Sequence, residues 1–167
     1  MKTAKPNTRT ASAARRHPEP PDPKTAAALK LWVVLARAYS AVAERSHADI
    51  VSRGLTPGEF AVVELLYHKG PTLLGDIQRR VLVSSGGITF LVDRLTKRGL
   101  VERRNCSTDR RARYAALTPD GERLMADIFP GHAQAMAAAV AGLGPADQKV
   151  ATALLKKLGL SAADSGE

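Results

Sequence analysis

Cysteine is nearly absent from this chain of 167 residues: Cys106 stands alone. That excludes an internal disulfide and fits a reducing compartment, while leaving a bond between chains open. Metal-ligand spacing is lacking too, since His17, His47, His68 and His132 are scattered and Cys106 has no neighbouring partner. No nucleophile elbow, P-loop or dinucleotide fingerprint occurs, so no enzyme and no cofactor is expected. Arg37 and Glu44 break the longest apolar run, which predicts a soluble chain without a membrane span. Internal repeats are missing as well.

What is present is unevenly placed charge. The chain carries 25 Lys+Arg against 16 Asp+Glu, a net +9. Lys69 to Tyr114 holds 11 basic against 4 acidic residues, and residues 1–24 hold 6 against 2, leaving the remainder slightly acidic. A local basic block of this kind is the footprint of a nucleic-acid-binding surface. Membrane-surface binding would require exposed large apolar side chains on an amphipathic helix, and the block has none. Residues 1–23 lack the apolar block of a secretory signal and read as a disordered basic arm stiffened by PEPPDP. Prolines and poor amphipathicity argue against a transit peptide.

Helical periodicity organises the chain beyond the arm. Asp22-Pro23 caps a long helix ending at Gly54, apolar over so much of its circumference that part of it is expected to bury against another subunit. LTPGEF then gives a capping box from Thr56 and Glu59, with Pro57 in the first position and Leu55 placed to staple Phe60; this helix stops at Gly70-Pro71. Thr72 opens a short helix, LLGDIQRRV. A turn leads to SSGGITFLVDRLTKRG, capped by Ser84 or Ser85, with Ile88, Leu91, Val92 and Leu95 inward and Thr89, Phe90, Asp93, Arg94 and Lys97 outward. Leu100–Arg103 and Ala112–Leu117 form a β-hairpin. Thr118-Pro119 starts a further helix, expected to break near Phe129-Pro130-Gly131, and a last helix spans Pro145–Leu158 before a frayed tail over 161–167.

Short helix, turn, polar-faced helix and basic hairpin, in that order, spell a mainly α fold: a winged helix-turn-helix with helices on both flanks, about six helices and one wing. The second helix of the pair has the width of a DNA major groove, and its N-terminal amides suit a phosphate. Ser84, Ser85, Gly86, Thr89 and Phe90 lie where it would meet DNA; Thr89 and Phe90 are able to pack on thymine methyl groups, although Phe90 packed beneath the wing is an equal alternative. Arg94 and Lys97, a turn later, suit backbone phosphates. In LVERRNCSTDRRARYAALT, Leu100–Thr118, the wing arginines Arg103, Arg104, Arg110, Arg111 and Arg113 meet few carboxylates. One at the tip suits a narrow minor groove, with Asp109 limiting the rotamers of Arg111. An ordinary solvated hairpin is the competing reading.

The stretches LTPGEFAVVELLYHKGP, VSSGGITFLVDRLTKRGLVERR and STDRRARYAALTPDGERL, with helices on both flanks, resemble the MarR family of bacterial transcription regulators. The similarity covers about residues 25–158, with a DNA-binding lobe at about 55–118 and dimerisation helices at about 24–53 and 119–158. LLYHKG, SSGGIT, CSTDRR and DIFPGH resemble a branch responding to quinones and related phenolics. The resemblance implies a cytoplasmic, nucleoid-associated homodimer on an inverted-repeat operator in double-stranded DNA, most simply a repressor, with an anion or aromatic effector site between the dimerisation helices and the lobe. It carries the wing pattern onto Asp109 and Arg111 and the recognition helix onto Ser84–Lys97. The basic arm and Pro130 depart from the pattern.

Two sensing routes stay open. Trp32, Tyr39, Phe60, Tyr67, Met125, Phe129 and His132 are candidates for an effector cleft, although aromatics at helical spacing more often fill a core. Arginines around Cys106 would favour its thiolate and hence its modification by electrophiles such as quinones, against the plainer reading of an inert turn cysteine. The rival functions are a sequence-indifferent architectural DNA binder and a winged-helix protein-interaction module; the first predicts a steep salt slope without operator preference, the second no DNA binding.

Overall fold

Thr56, Pro57 and Glu59 begin the helix that organises the fold. The Thr56 backbone amide and hydroxyl each donate to Glu59 Oε2 at 2.9 Å, while the Glu59 amide donates back to Thr56 Oγ1 at 3.3 Å, closing the capping box. The helix, α2 (Pro57–Lys69), ends at Gly70, whose φ of +72° suits glycine and whose N–H donates to Leu66 O at 2.8 Å. The computed structural model describes residues 20–81, 85–105 and 113–164. The arm over residues 1–19, Ser84, and the wing tip with Cys106, Asp109, Arg110 and Arg111 lie outside them.

The elements run α1 (Pro23–Ser52), α2, β1 (Thr72–Leu73), α3 (Leu74–Val81), α4 (Ser85–Lys97), β2 (Val101–Asn105), β3 (Arg113–Leu117), α5 (Pro119–Ala139) and α6 (Pro145–Asp164). Two compact units divide them, Met1–Arg37 and Ala38–Glu167. In the first, Asp22 caps α1 as expected: its Oδ1 accepts from the Lys24 and Thr25 amides at 2.9 and 3.1 Å. Leu29, Leu31, Trp32, Val33 and Val34 are exposed there.

In the second unit, antiparallel strands lie in the order β1-β3-β2, with Thr72 opposite Ala115 and Val101 opposite Leu117. The core fills the space between this sheet and α2–α5 with Phe60, Val62, Val63, Ile77, Ile88, Val92, Leu95, Val101 and Met125. Leu91 of α4 comes so close to α2 that a side chain on Gly58 would meet it at 3.2 Å. Tyr39 is exposed, as are Val150, Leu154, Leu155 and Leu158 of α6, a helix without a buried residue.

Four sequence expectations change. Thr72 belongs to β1 rather than to a helix start, because its backbone pairs with β3; its hydroxyl donates to Gly70 O at 2.9 Å. α6 continues to Asp164, past the expected end at Leu158. α1 contains an 18-residue window of mean hydropathy 1.4, so by length and composition it is apolar enough to cross a membrane, since isolated charges such as Arg37 and Glu44 lower the mean too little. And α5 runs unbroken through Pro130. Proline removes one N–H from the ladder, but tertiary contacts on both sides hold the flanking turns.

Those contacts tie α5 to the end of α1. Phe129 packs on the core, and His132 Nδ1 donates to Asp49 Oδ2 at 2.8 Å. Arg53 lies over Gly131, where a Cβ would stand 2.8 Å from its guanidinium, and donates to both Asp49 oxygens at 2.9 and 2.7 Å. The Arg53 hydrogen bonds, opposed by partial burial and joined by His132, hold the Asp49 carboxyl down at about 2.

Candidate nucleic-acid interface

The outward face of α4 is built by the inward one. Ile88, Val92 and Leu95, spaced three and four apart, are buried, and this commits Phe90, Asp93, Arg94 and Lys97 to the exposed side. Gly99, with φ of +72°, ends the helix and turns the chain directly into β2. Recognition-like helix and wing are therefore one continuous segment, and a side-chain bridge joins them again: Arg103 of β2 donates to Asp93 of α4 at 2.7 Å.

Beneath this face lies a buried carboxylate. Glu59 is 1% exposed and, besides closing its cap, stands 3.3 Å from the guanidinium groups of both Arg94 and Arg98. Arg98 also donates to Gly54 O at 3.1 Å. Burial alone would push the Glu59 carboxyl up; the Thr56 hydrogen bonds and the two arginines together outweigh it and hold the group low. Arg94 then continues outward, its guanidinium carbon 5.6 Å from the centroid of the Phe90 ring, which is 59% exposed. That separation is within the range of a cation–π contact.

These pairings answer, for the described residues, how the wing arginines are balanced. Arg103 pairs with Asp93, and Arg104 with Glu102 at 2.6 Å; Arg113 is exposed at the start of β3. Sequence reasoning left the arginines waiting for phosphates, but two of the three described ones also have carboxylates in this chain. It missed Glu59 and Asp93 as anchors. The available signal was Asp93 as the one carboxylate of α4; Glu59 gave none beyond its cap.

Among the predicted DNA-contacting residues, the structure brings Gly86, Thr89, Phe90, Arg94 and Lys97 together on α4 and Arg104 and Arg113 onto neighbouring strands. A side chain on Gly86 would meet only open space. Ser85 is the first residue of α4. Ser84, Asp109, Arg110 and Arg111 fall outside the described residues, as does Cys106.

The candidate effector residues separate. Trp32, in the first unit, is 65% exposed. In the second, Phe60, Met125 and His132 are core residues, with Phe60 and His132 rings 4.4 Å apart, because their helical spacing turns them into the α2–α5 packing rather than toward a cleft. Phe129 meets His68 edge to face with ring centroids 4.7 Å apart, and Tyr67 lines a cavity of about 460 Å³ with Leu66, Leu117, Glu122, Arg123 and Ala126. Cavities of this size accommodate small ligands.

Known proteins share this arrangement. The MarR family model matches residues 55–112. An HTH-type transcriptional regulator from Bacillus subtilis, MhqR, is 41% identical over 138 residues, covering 83% of this chain and 95% of the relative. Among solved structures, Bordetella bronchiseptica BpsR, whose DNA binding is regulated by 6-hydroxynicotinic acid, superposes with a TM-score of 0.70 at 27% identity over 78% of this chain and 98% of its own. NadR in complex with 4-hydroxyphenylacetate superposes with a TM-score of 0.66 at 25% identity, over 75% and 89%.

Proposed function

Because the chain belongs to the MarR family of transcription regulators, we propose that it works as a homodimeric repressor on an inverted-repeat operator and releases it in response to a small aromatic acid, phenol or quinone. The observation that carries the DNA-reading part is the Arg103–Asp93 bridge, which sets the wing's first strand beside the outward face of α4. Groove-reading helix and backbone-binding wing thus act as one body. In this reading Ser84, Ser85, Gly86, Thr89 and Phe90 approach the bases, Lys97, Arg104, Arg110 and Arg113 bind phosphates, and Arg111, steadied by Asp109, enters the minor groove.

Exposed apolar side chains on α1 and α6 support the dimer. Trp32, Val34, Leu154 and Leu158 present more apolar surface than an isolated protomer leaves in water without a partner. The same surface on α1 is what gives it the hydropathy of a membrane helix; the basic, groove-sized face elsewhere in the chain favours a second subunit over a bilayer, and hence a cytoplasmic protein. Two half-sites about 34 to 36 Å apart tolerate little rotation of the lobes, so an effector need only alter their spacing. The cavity beside Tyr67 and Arg123 has apolar walls from Leu66, Leu117 and Ala126 that suit an aromatic ring, and an acid group there would compete with Asp120 for Arg123, beside Glu122. BpsR and NadR, with their aromatic acids, support that class of effector.

A gel shift on DNA upstream of the protein's own gene, with and without phenolic compounds, tests the proposal. A discrete complex that survives random competitor and is lost on adding the compound is expected. Equal affinity for operator and random duplex, with a steep salt slope, would instead identify an architectural binder. Quinone release that persists in Cys106→Ser assigns sensing to a cavity rather than to the thiol.

A further inference from the structure

The chain Glu59–Arg94–Phe90 is more than phosphate binding requires. An arginine meant only for the DNA backbone has no need of a buried carboxylate behind it and an aromatic ring in front. Two hydrogen bonds from Thr56 fix Glu59 Oε2 and the residue is 1% exposed, so its Oε1 is a stationary charge 3.3 Å from Arg94. Arg94 is four residues, one helical turn, beyond Phe90, and its guanidinium lies 5.6 Å from the ring centroid. One side of an exposed ring is thereby occupied, and fewer ring orientations remain free.

An aromatic ring held in water in the middle of a helix face offers apolar surface and little else. On the major-groove edges of the four base pairs, the one apolar group is the 5-methyl of thymine. We infer that Phe90 takes a thymine methyl group in each half-site and that Glu59, acting through Arg94, is the positioning residue that holds the ring for this contact. The inference rests on the reading of α4 as the helix that enters the major groove. It makes operator selectivity depend on a residue, Glu59, that never touches DNA.

The test uses the full chain and the tightest duplex selected from a random pool, prepared once with thymine and once with deoxyuridine throughout. Wild type is expected to bind the thymine form about tenfold more tightly, the size of one methyl contact in each of two half-sites. In Phe90→Ala that ratio falls toward one. Glu59→Gln keeps the volume and a cap acceptor but drops the charge, and lowers the ratio to about threefold. Should Glu59→Gln fold poorly, Arg94→Met serves the same purpose from a more exposed position. A phosphate-binding role for Arg94 weakens both duplexes alike and leaves the ratio unmoved, whereas a positioning role lowers the ratio.

The outcomes separate cleanly. Equal binding of both duplexes by wild type, or a ratio retained in Phe90→Ala, overturns the inference and leaves the regulator reading intact. A Phe90→Ala variant that changes oligomeric state with the ratio unchanged also overturns it, placing the ring in a protein contact. A wild-type protein that selects no duplex from the pool sinks the regulator reading and this inference with it.

Discussion

Gly121 offers a direct stability test, because the structure leaves it no room for a side chain. A Cβ at this position would lie 2.1 Å from the Leu100 carbonyl oxygen, 3.1 Å from the Leu100 carbonyl carbon and 3.2 Å from Leu117 Cδ2. The obstacle is backbone, and opening the gap to an ordinary contact requires about 1.3 Å of movement. Leu100 O also accepts from the Thr118 amide at 3.1 Å, and Thr118 Oγ1 bridges Gly99 O at 2.6 Å and the Gly121 amide at 3.1 Å. Any shift therefore disturbs the cap of α5 and the junction between α4 and the wing together.

Gly121→Ala should cost about 1–3 kcal/mol for overpacking and part of about 1 kcal/mol for the cap, offset by up to about 1 kcal/mol of helix propensity. The net is about 2 kcal/mol, or a fall in Tm of about 4–8 °C for a chain of this size. Gly75, near the start of α3, meets nothing within 4 Å, so Gly75→Ala should gain about 0.5–1 kcal/mol. Thermal melts of the three proteins at one protomer concentration decide the matter, since dimerisation couples Tm to concentration. A Gly121→Ala protein that melts with or above wild type, while Gly75→Ala behaves as expected, refutes the close approach.

Further outcomes are as specific. Asp49, lowered from 3.8 to about 2, contributes stability that is fully present above about pH 4 and is lost as the pH falls toward 2. With partial solvent screening it amounts to about 1–2 kcal/mol, and urea titrations of wild type and Asp49→Asn should converge at pH 2 and diverge at pH 5. Arg111→Ala should lose about 1–3 kcal/mol of operator affinity, whereas Lys97→Ala should weaken all duplexes alike and flatten the salt slope by about one unit, both read by anisotropy titration. Leu154→Glu on the exposed face of α6 should shift the protein from dimer toward monomer in light scattering; an unchanged dimer would move the subunit contact elsewhere.

The parts of the fold legible in the sequence are those that local chemistry decides. Thr56, Pro57 and Glu59 announce a helix start without tertiary help, and the three- and four-residue spacing from Ile88 to Leu95 sorts α4 into two faces. β1 was not legible, because two residues carry no periodicity and owe their conformation to pairing with β3, some forty residues away. Pro130 misled for the opposite reason: its local rule is strong, but His132 and Gly131 are tethered to Asp49 and Arg53 across 83 and 78 positions of sequence, and that anchoring overrides it. The candidate site divides in the same way. Which side chains α4 exposes followed from spacing; that Glu59 reaches Arg94 and Arg98 depends on how α2 crosses α4, which no short pattern encodes.

The carboxylate partners of the wing arginines strengthen the DNA-binding reading rather than weaken it. Exposed ion pairs such as Arg104–Glu102 contribute about 0–1 kcal/mol, so exchanging a carboxylate for a phosphate costs little. Without DNA, five arginines within eleven residues would repel and spread; Asp93 keeps Arg103 beside α4, and Glu102 holds Arg104 along its own strand until a phosphate competes. The block from Lys69 to Tyr114 keeps its excess of 11 basic over 4 acidic residues throughout, so the long-range field that steers the protein to DNA survives these pairings. Glu59 differs in kind. Being buried, it is not available for exchange, and removing it would take from Arg94 and Arg98, themselves solvent-exposed, the fixed charge that orients them. A chain that needed only positive charge would have no use for that distinction, whereas one that must aim Phe90 at a base edge through Arg94 requires it.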